Sequence, residues 1–585
     1  MRPAPLGPRA GMPPEMATPM AILTLIWGTL GLAALAWATG ALTATASTRR
    51  WDPPPFSLDT AGDVIARGPG PVFGAPATHL IGAWAVVGLG LCVAAGVWGA
   101  RAALRPAGDD PLLGLARPED LPTLTPDGAA ERARALRPSL RRGPPPDDCG
   151  LALGRLDPGG PQLRCSWEDV LLEIMAPRAG KTTSQAVPMV LSAPGPCIAT
   201  SNKADLVAST WALRARRGTC WVFDPQGIAR TPQRFTFNPL RAVHTVAEAG
   251  RLAAHFIQEV KDPTRGGDFW TSAAGDLLTS LLLGAAADGR DLNEVYRWLN
   301  DSAARLPVQL LRRHGHHAAA ASLEGRQSGA METREGIYET ARTAAQALRD
   351  PAIMAWVTPQ PGLPELDPAA FVTSTDTLYA MSKDGGASAA PLVAALVDAL
   401  FVRGQHAAEA AAGRLDPPMV VVLDEAANVV KIHDLPDLYS HLGSRGITPV
   451  TILQSYQQGV RVWGDTGMST LFNASTVKMI GAGIDDAKFA EDLSRLVGEH
   501  DVTVRSASHG RDSSHQLSLR RQRILPPEAI RALPRGQALL LATGQKAALL
   551  TLQPWYAGPH AKAITAATKH AEAAITARAR AGGPR

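Results

Sequence analysis

Short apolar runs that alternate with helix-forming segments constrain the fold of this chain more than any other feature. The runs begin at Val170, Cys197, Thr219, Thr377, Met419, Ile447, Val477 and Ala538. Continuous apolar runs of this length are typical of strands that are buried on both faces. Strands that helices separate along the chain pack as a largely parallel sheet with helices on both faces. The sequence therefore predicts an α/β fold.

The strand pattern stops between residues 244 and 364, where Ala- and Leu-rich helical patterns replace it. We predict an all-helical domain over 244–364, inserted into an α/β domain formed by residues 149–243 and 365–556. Residues 106–148 are rich in Pro, Arg and Asp, a composition typical of a linker. The basic, Ala-rich residues 557–585 are predicted to form a flexible tail.

The stretch MAPRAGKTTSQAVP, which begins at Met175, has the pattern of a phosphate-binding loop. It predicts a turn between a strand and a helix that starts at Lys181, which is the context such a loop requires. Backbone N–H groups then hold phosphates, Lys181 adds a positive charge, and the Thr182 hydroxyl binds Mg²⁺. The predicted nucleotide-binding residues are Pro177, Arg178, Ala179, Gly180, Lys181, Thr182 and Thr183. Because Met175 stands where the pattern has its first glycine, we expect weakened phosphate binding.

A second motif, MVVVLDEA from Met419, places Asp424 and Glu425 at the carboxyl end of an apolar strand. There one carboxylate can hold Mg²⁺, and the next can polarise an attacking water. The alternative is that both acids only cap the following helix. Together with the loop, this motif predicts a site for ATP and Mg²⁺, with Thr182 and Asp424 as metal ligands.

Two further polar residues are candidates for catalysis beside Glu425. Gln454 ends the strand from Ile447 and would lie beside the γ-phosphate if that strand neighbours the one from Met419; a helix cap is the alternative. Arg445 precedes the same strand and can be an arginine finger for the nucleotide of a neighbouring subunit, or an ordinary surface arginine. The predicted catalytic residues are therefore Glu425, Arg445 and Gln454.

Residues 20–42 and 80–100 contain no charged side chain, and each stretch matches the roughly 20 apolar residues of a transmembrane helix. We predict that residues 1–105 form a membrane anchor with an extracytoplasmic loop over 43–79; helices buried in a soluble core are the alternative. The flanking charges do not orient the spans. If the ATP site is cytoplasmic, the N-terminus is cytoplasmic too. The five cysteines contain no C-x-x-C pair, which indicates neither a disulfide framework nor a zinc site.

In order along the chain, these motifs resemble those of the membrane-anchored coupling ATPases of type IV secretion and conjugation, the TraG/TraD-like proteins. The resemblance covers about residues 149–556 and the two apolar stretches, and it includes APGPCIATSNKADL, WVFDPQG, FTFNPL, PMVVVLDEAANV and SRGITPVTILQSYQQ. It implies a RecA-like P-loop NTPase domain with an all-helical insertion, preceded by two transmembrane helices. It also implies a homohexamer at the inner (cytoplasmic) membrane, with the bulk of the chain in the cytoplasm.

The resemblance also implies residue roles. Lys181 and Thr182 match the Walker A lysine and hydroxyl, and Asp424 and Glu425 match the Walker B pair. Gln454 matches the sensor glutamine, and Arg445 matches the arginine that acts across the subunit boundary. Met175 and Ala176 depart from the usual Gly-Pro of the family.

The function implied by the resemblance is recruitment of a relaxase-bound single DNA strand, or of an effector protein, to a type IV secretion channel, with ATP hydrolysis during transfer. Two alternatives stay open. An FtsK-like pump for double-stranded DNA shares the core, but it is expected to carry a winged-helix module for which the segment after Tyr556 is too short. A membrane receptor that docks substrates without hydrolysing ATP is the other alternative.

Overall fold

The computed structural model describes residues 14–103, 111–261, 268–383, 385, 388–508 and 514–582. The chain divides into two compact units. One unit contains the described residues up to 103 and those within 502–520, and the other contains the described residues within 111–501 and from 521 onward.

Two long apolar helices dominate the N-terminal unit. Its helices are α1 (Pro14–Thr48), α2 (Leu58–Arg67), α3 (Pro69–Phe73) and α4 (Ala77–Ala103). The indole N–H of Trp84 on α4 donates to the carbonyl of Ala36 on α1 at 2.7 Å, and Phe73 packs edge-on against the Trp84 ring. The two stretches of the sequence without charged residues, 20–42 and 80–100, thus lie within two helices that contact each other.

The described residues of the chain contain 13 strands. They are β1 (Ala152–Leu156), β2 (Gln162–Arg164), β3 (Leu171–Ile174), β4 (Cys197–Ser201), β5 (Cys220–Phe223), β6 (Thr377–Met381), β7 (Met419–Leu423), β8 (Ile447–Leu453), β9 (Val477–Gly481), β10 (Glu499–Ser508), β11 (Ser514–Arg523), β12 (Gln537–Ala542) and β13 (Ala548–Thr551). Strands β10 and β11 form a two-stranded sheet, and the other strands form one sheet in the order β2-β1-β13-β12-β9-β3-β8-β7-β4-β6-β5.

The part of the large sheet from β9 to β5 is entirely parallel. Every residue of β7 and β8 is buried, which explains their continuous apolar sequences. The predicted α/β fold with a largely parallel sheet is confirmed. Strands β12, β13, β1 and β2 extend the sheet with antiparallel pairs. The sequence pattern does not predict β1, because Gly154 and the exposed Arg155 interrupt its apolar residues.

Helices cover both faces of this sheet, since Leu172 and Ile174 of β3 belong to one apolar core and Leu171 to another. The helices after α4 are α5 (Pro126–Leu136), α6 (Val187–Ser192), α7 (Asp205–Arg214), α8 (Val246–Ile257), α9 (Phe269–Ala287), α10 (Leu292–Leu299), α11 (Leu306–Arg313), α12 (His317–Gln327), α13 (Met331–Ala344), α14 (Pro351–Val357), α15 (Pro368–Val372), α16 (Ala390–Ala410), α17 (Ala426–Val429), α18 (Leu435–Leu442), α19 (Tyr456–Ala474), α20 (Ala487–Val497), α21 (Pro527–Arg531) and α22 (Ala561–Arg580). The described residues from α8 to α15 form no strand.

The segment predicted to be a linker, 106–148, is packed into the second unit over its described part, residues 111–148. Leu121 and Leu124 are fully buried, and the buried Arg137 forms ion pairs with Asp148 and Asp416. The linker prediction is wrong here because the prolines begin short helices, where a missing N–H is tolerated, and do not mark exposed chain.

The predicted flexible tail, 557–585, contains the helix α22. Ile564 is buried, the Thr568 hydroxyl donates to the Ser209 hydroxyl of α7 at 3.4 Å, and Arg578 donates to the carbonyl of Arg230 at 3.2 Å. The prediction of flexibility is wrong for residues 561–580. Alanine favours helix strongly, and the buried isoleucine gives this helix a face that packs on α7.

Candidate active site

The predicted phosphate loop connects β3 to α6 and contains two residues with positive φ. Arg178 has a φ of 64° and Gly180 a φ of 99°. Pro177 and Arg178 are exposed, whereas Ala179 is buried. Glycine reaches the conformation of Gly180 without the clash that a Cβ brings, so the loop depends on glycine at this position.

Met175 lies before this turn and continues β3. Its N–H donates to the carbonyl of Leu453 at 3.0 Å, its side chain is fully buried against Gly481, and its φ is not positive. The backbone at Met175 therefore does not require glycine. The weakened phosphate binding that the sequence predicts has no cause in the backbone of this residue.

The helix after the loop begins with a π-helical turn, Thr182–Ala186, before α6. The N–H of Val187 donates to the carbonyl of Thr182, five residues earlier, and Pro188 has no N–H to continue the α-helical pattern. The Thr183 hydroxyl donates to the carbonyl of Gly180 at 3.1 Å and fastens the loop to this turn. Wide turns of this kind occur often at functional sites.

The predicted acid pair meets the loop at the carboxyl ends of neighbouring parallel strands. Strands β3 and β7 both pair with β8, so the residues that follow them lie at one edge of the sheet. The Thr182 hydroxyl donates to Asp424 Oδ2 at 3.0 Å. Lys181 Nζ lies 2.5 Å from Glu425 Oε1, and both side chains of this ion pair are less than a tenth exposed.

Glu425 also contacts the third predicted element of the site. Gln454 follows β8, and its side-chain amide donates to Glu425 Oε2 at 2.6 Å. Glu425 is held with φ 56° and ψ 40°, a left-handed conformation that a residue with a side chain rarely adopts. Such local strain concentrates at active sites and switch regions.

Burial dominates the electrostatics of two acids in this region, Asp424 after β7 and Glu173 on β3. Burial raises the pKa of Asp424 to about 6, although the charge of Lys181 and the Thr182 hydroxyl oppose the shift. Glu173 on β3 is fully buried, and neither of its carboxylate oxygens has a hydrogen-bond partner among the described residues. Burial, with the nearby charge of Asp424, raises the pKa of Glu173 to about 8. The only sequence signal for Glu173 is an acid inside the apolar run VLLEIM.

The oxygen ligands at this edge fit Mg²⁺. The Thr182 hydroxyl and the Asp424 carboxylate lie within 3.0 Å of each other, and hard oxygen donors are what Mg²⁺ prefers. The described residues contain no group of three or more His, Cys, Asp or Glu side chains that could hold a metal. A site with few protein ligands is typical of Mg²⁺ that is bound together with substrate phosphates.

The structure does not bring Arg445 into this cluster. Arg445 precedes β8, whereas Gln454 follows it, so the two residues lie at opposite edges of the sheet. The Arg445 guanidinium forms an ion pair with Glu409 at 3.3 Å and is about one third exposed. Within one subunit it therefore has no part in the nucleotide site.

The comparisons with known proteins agree with the series of motifs. Residues 418–535 match the family described as the TraM recognition site of TraD and TraG. The fold matches the bacterial conjugative coupling protein TrwBdeltaN70 in its unbound monoclinic form, with a TM-score of 0.52 and 18% identity over 68% of this chain and 88% of that one. The family match over residues 418–535 agrees with the resemblance to the type IV coupling proteins, and the structural match shows the same fold.

TrwB in complex with the non-hydrolysable GTP analogue GDPNP matches with a TM-score of 0.51 and 19% identity, over 68% of this chain and 89% of that one. At such identities the structural matches show the fold alone. No curated protein matches the chain. The resemblance predicted from the motifs is confirmed, and the chain has the α/β fold of a coupling protein. The matched segment contains Asp424, Glu425, Arg445 and Gln454, whereas Lys181 and Thr182 lie outside it.

Proposed function

We propose that this chain is a membrane-anchored ATPase that couples the recruitment of a substrate to a type IV secretion or conjugation channel. The observation that carries this proposal is the meeting of Lys181, Thr182, Asp424, Glu425 and Gln454 at the carboxyl ends of β3, β7 and β8. These groups come from three segments that are far apart in the sequence. A cluster of a lysine, a hydroxyl, two acids and an amide is what phosphoryl transfer from a nucleotide requires.

Each residue has a role in this proposal. Backbone N–H groups of residues 178–183, together with Lys181, would hold the phosphates, and Thr182 and Asp424 would hold Mg²⁺, which when bound would neutralise phosphate charge. Glu425 accepts the proton of the attacking water, and the Gln454 amide orients that water. The strained backbone of Glu425 keeps its carboxylate at this position.

The two long N-terminal helices support membrane anchoring. Segments Trp27–Thr48 and Ala77–Ala95 are long and apolar enough to cross a membrane. Few of their side chains are buried in the protein; Val86 and Leu89, for example, are 71% and 68% exposed. An exposed apolar surface is what a membrane span presents to lipid, whereas a helix of a soluble core is mostly buried. The proposal places the chain in the inner membrane, with its bulk in the cytoplasm.

The family match supports the choice of partners. The matched family is described as a recognition site for TraM, and the fold is that of a conjugative coupling protein. We infer that the cargo is a relaxase-bound single DNA strand or an effector protein, and that channel proteins of the secretion system receive it. The bound GDPNP in one TrwB structure supports nucleotide binding here.

ATP turnover by the full chain in lipid nanodiscs tests the proposal. We expect turnover that requires Mg²⁺, increases with single-stranded DNA and is mostly lost in Lys181→Ala, because this substitution removes the charge that holds the phosphates. The control is Lys546→Ala, whose exposed ammonium pairs with Asp120. Wild-type turnover no higher than that of Lys181→Ala would overturn the ATPase and favour the docking receptor. Stimulation by duplex DNA alone would favour the FtsK-like pump.

A second experiment tests the proposed hexamer and Arg445. Arg445→Ala should lower turnover and leave ATP binding unchanged, since Arg445 lies far from the nucleotide of its own subunit. A mixture of Arg445→Ala and Lys181→Ala subunits should turn over ATP faster than either variant alone, because some interfaces then combine an intact loop with an intact arginine. Mixtures no faster than the separate variants would contradict a role across the subunit boundary.

A further inference from the structure

A closed ring of hydrogen bonds joins Glu425 to Gln454 through Asn428 and Gln458, two residues to which the motifs assign no role. Gln454 Nε2 donates to Glu425 Oε2 at 2.6 Å, and the Gln454 backbone N–H donates to Gln458 Oε1 at 2.9 Å. Asn428 Nδ2 donates to the same Glu425 Oε2 at 3.4 Å, and Asn428 Oδ1 accepts from Gln458 Nε2 at 3.5 Å. Glu425 is buried and the other three residues are half-buried, so water competes little for these bonds.

The local folding of two neighbouring loops explains the ring. Asn428 lies on α17, and its N–H donates to the carbonyl of Glu425 at 2.9 Å, so one turn brings the two side chains together. Gln458 lies in the first turn of α19, where the N-cap Ser455 accepts its N–H at 3.2 Å. Because β7 and β8 are adjacent, the loops after them meet, and the ring ties one loop to the other.

The ring determines how the carboxylate and the amide lie relative to each other. Glu425 Oε2 accepts from Gln454 and Asn428, while Oε1 pairs with Lys181, so neither oxygen can turn without breaking a bond. Catalytic groups have to be held to about 0.5 Å for efficient reaction, and neighbouring hydrogen bonds supply that precision.

We propose that Asn428 and Gln458 are positioning residues for ATP hydrolysis, which hold Glu425 and Gln454 in register and do not touch the nucleotide. This inference rests on the proposed ATPase function. Gln457 offers a matched control, since it is the same residue type at the adjacent position, is exposed, and donates to Asp486 at 3.1 Å outside the ring.

The test measures kcat and KM for ATP in the full chain in nanodiscs. Gln458→Ala and Asn428→Ala should each lower kcat about tenfold and leave KM within about twofold, because they disturb the geometry of hydrolysis and spare the phosphate contacts. Gln457→Ala should match the wild type. In a Gln454→Ala background, Gln458→Ala should cause less than its full loss, since the part that acts through the Gln454 side chain is already removed and only the path through Asn428 to Glu425 remains.

The outcomes separate this inference from the proposed function. An active wild type with unchanged kcat in both ring variants overturns the positioning role alone. A raised KM at constant kcat, or a full additional loss in the Gln454→Ala background, overturns it as well. A wild type without turnover overturns both the ATPase and the positioning role. Thermal unfolding of each variant identifies a loss of kcat that comes from misfolding, and for a misfolded variant the other ring variant decides.

Discussion

Asp424 in the candidate site and Asp398 on α16 are nearly equally inaccessible, at 2% and 4% exposed, but their partners differ. Arg251 of α8 donates to both oxygens of Asp398 at 2.6 Å, and His255 Nε2 lies 3.1 Å from Oδ2. Asp424 accepts one side-chain hydrogen bond, from Thr182, and one from the N–H of Glu425. One acid is therefore held by a rigid guanidinium, and the other is held by weaker neutral donors.

The pKa values of the two acids move in opposite directions. Burial alone would raise the pKa of both acids. At Asp398, however, the hydrogen bonds and charges of His255 and Arg251 outweigh burial and hold the pKa below its ordinary value. At Asp424 burial outweighs Lys181, and the pKa rises to about 6. The Asp398 cluster thus fastens α8 to α16 with its charge compensated. The incomplete compensation at Asp424 favours a cation ligand.

The largest expected effect is on ATP turnover at the candidate site that contains Asp424 and Glu425. Glu425→Gln should lower ATP turnover about a thousandfold, because an amide cannot accept the proton of the attacking water. Glu339→Gln, which changes an exposed acid paired with Arg342, serves as the control in the same steady-state assay. The contrast between the clusters would fail if Glu425→Gln kept more than about a tenth of wild-type turnover.

Substitution in the Asp398 cluster should change the stability of the fold. Asp398→Ala should lower the free energy of unfolding by about 3 kcal/mol, because it removes both hydrogen bonds of the partly buried Arg251 to Asp398 and the partner of the buried His255, and leaves Arg251 only its longer ion pair with Asp434. Asp276→Ala, which removes an exposed partner of Arg326, should change it by less than about 1 kcal/mol. Denaturant unfolding followed by tryptophan fluorescence compares them. Equal losses would show that Asp398 does not fasten the two helices.

Substitution of Met175 tests two explanations of why this residue departs from the phosphate-loop pattern. Either the missing glycine weakens phosphate binding, or the methionine fills a buried position at the end of β3 without affecting the loop. Met175→Gly should lower the free energy of unfolding by about 2 kcal/mol, since it empties a fully buried position. ATP affinity should not improve. Met331→Gly, at a position that is 71% exposed, should cost about 1 kcal/mol or less. Tighter ATP binding by Met175→Gly, measured by calorimetry, would restore the loop explanation.

The smallest effect concerns Glu173 and pH. Because the pKa of Glu173 is raised to about 8 from 4.5, the folded protein keeps a proton that the unfolded chain loses between these values. This contribution to stability is complete below about pH 4.5 and disappears as pH rises through about 8. From pH 6 to pH 7 the wild type should lose about 1 kcal/mol relative to Glu173→Gln. If the free energies of unfolding of the two proteins changed in parallel with pH, the raised pKa of Glu173 would be refuted. Glu339→Gln, a substitution of an exposed acid, is the control.

The core of the site could be predicted from the sequence because its signals are local. A phosphate loop requires Gly180, Lys181 and Thr182 in succession, and an acid pair at the end of an apolar strand needs no distant partner to be recognised. Gln454 was predictable only on the condition that β7 and β8 are neighbours, a condition that strand pairing meets.

The residues that support the site could not be predicted, because their roles depend on contacts between distant segments. Asp398 and Arg251 are separated by 147 positions, and Asn428 meets Gln458 across 30 positions. Neither pair has a local pattern that distinguishes it from ordinary polar residues on helices. The packed segment 111–148 and helix α22 have compositions typical of exposed chain, and only their packing shows otherwise.

By itself, the sequence determined the buried parallel strands, the helical segments between them, the phosphate loop and the acid pair, since short-range hydrophobic pattern and backbone conformation specify these features. Only the tertiary structure decided that Lys181 meets Glu425, that Arg445 lies at the opposite edge of the sheet, and that Asn428 and Gln458 close a ring around the acid. The physical reason is that distance along the chain does not determine distance in space until the strands pair. The order in which they pair is a property of the whole core.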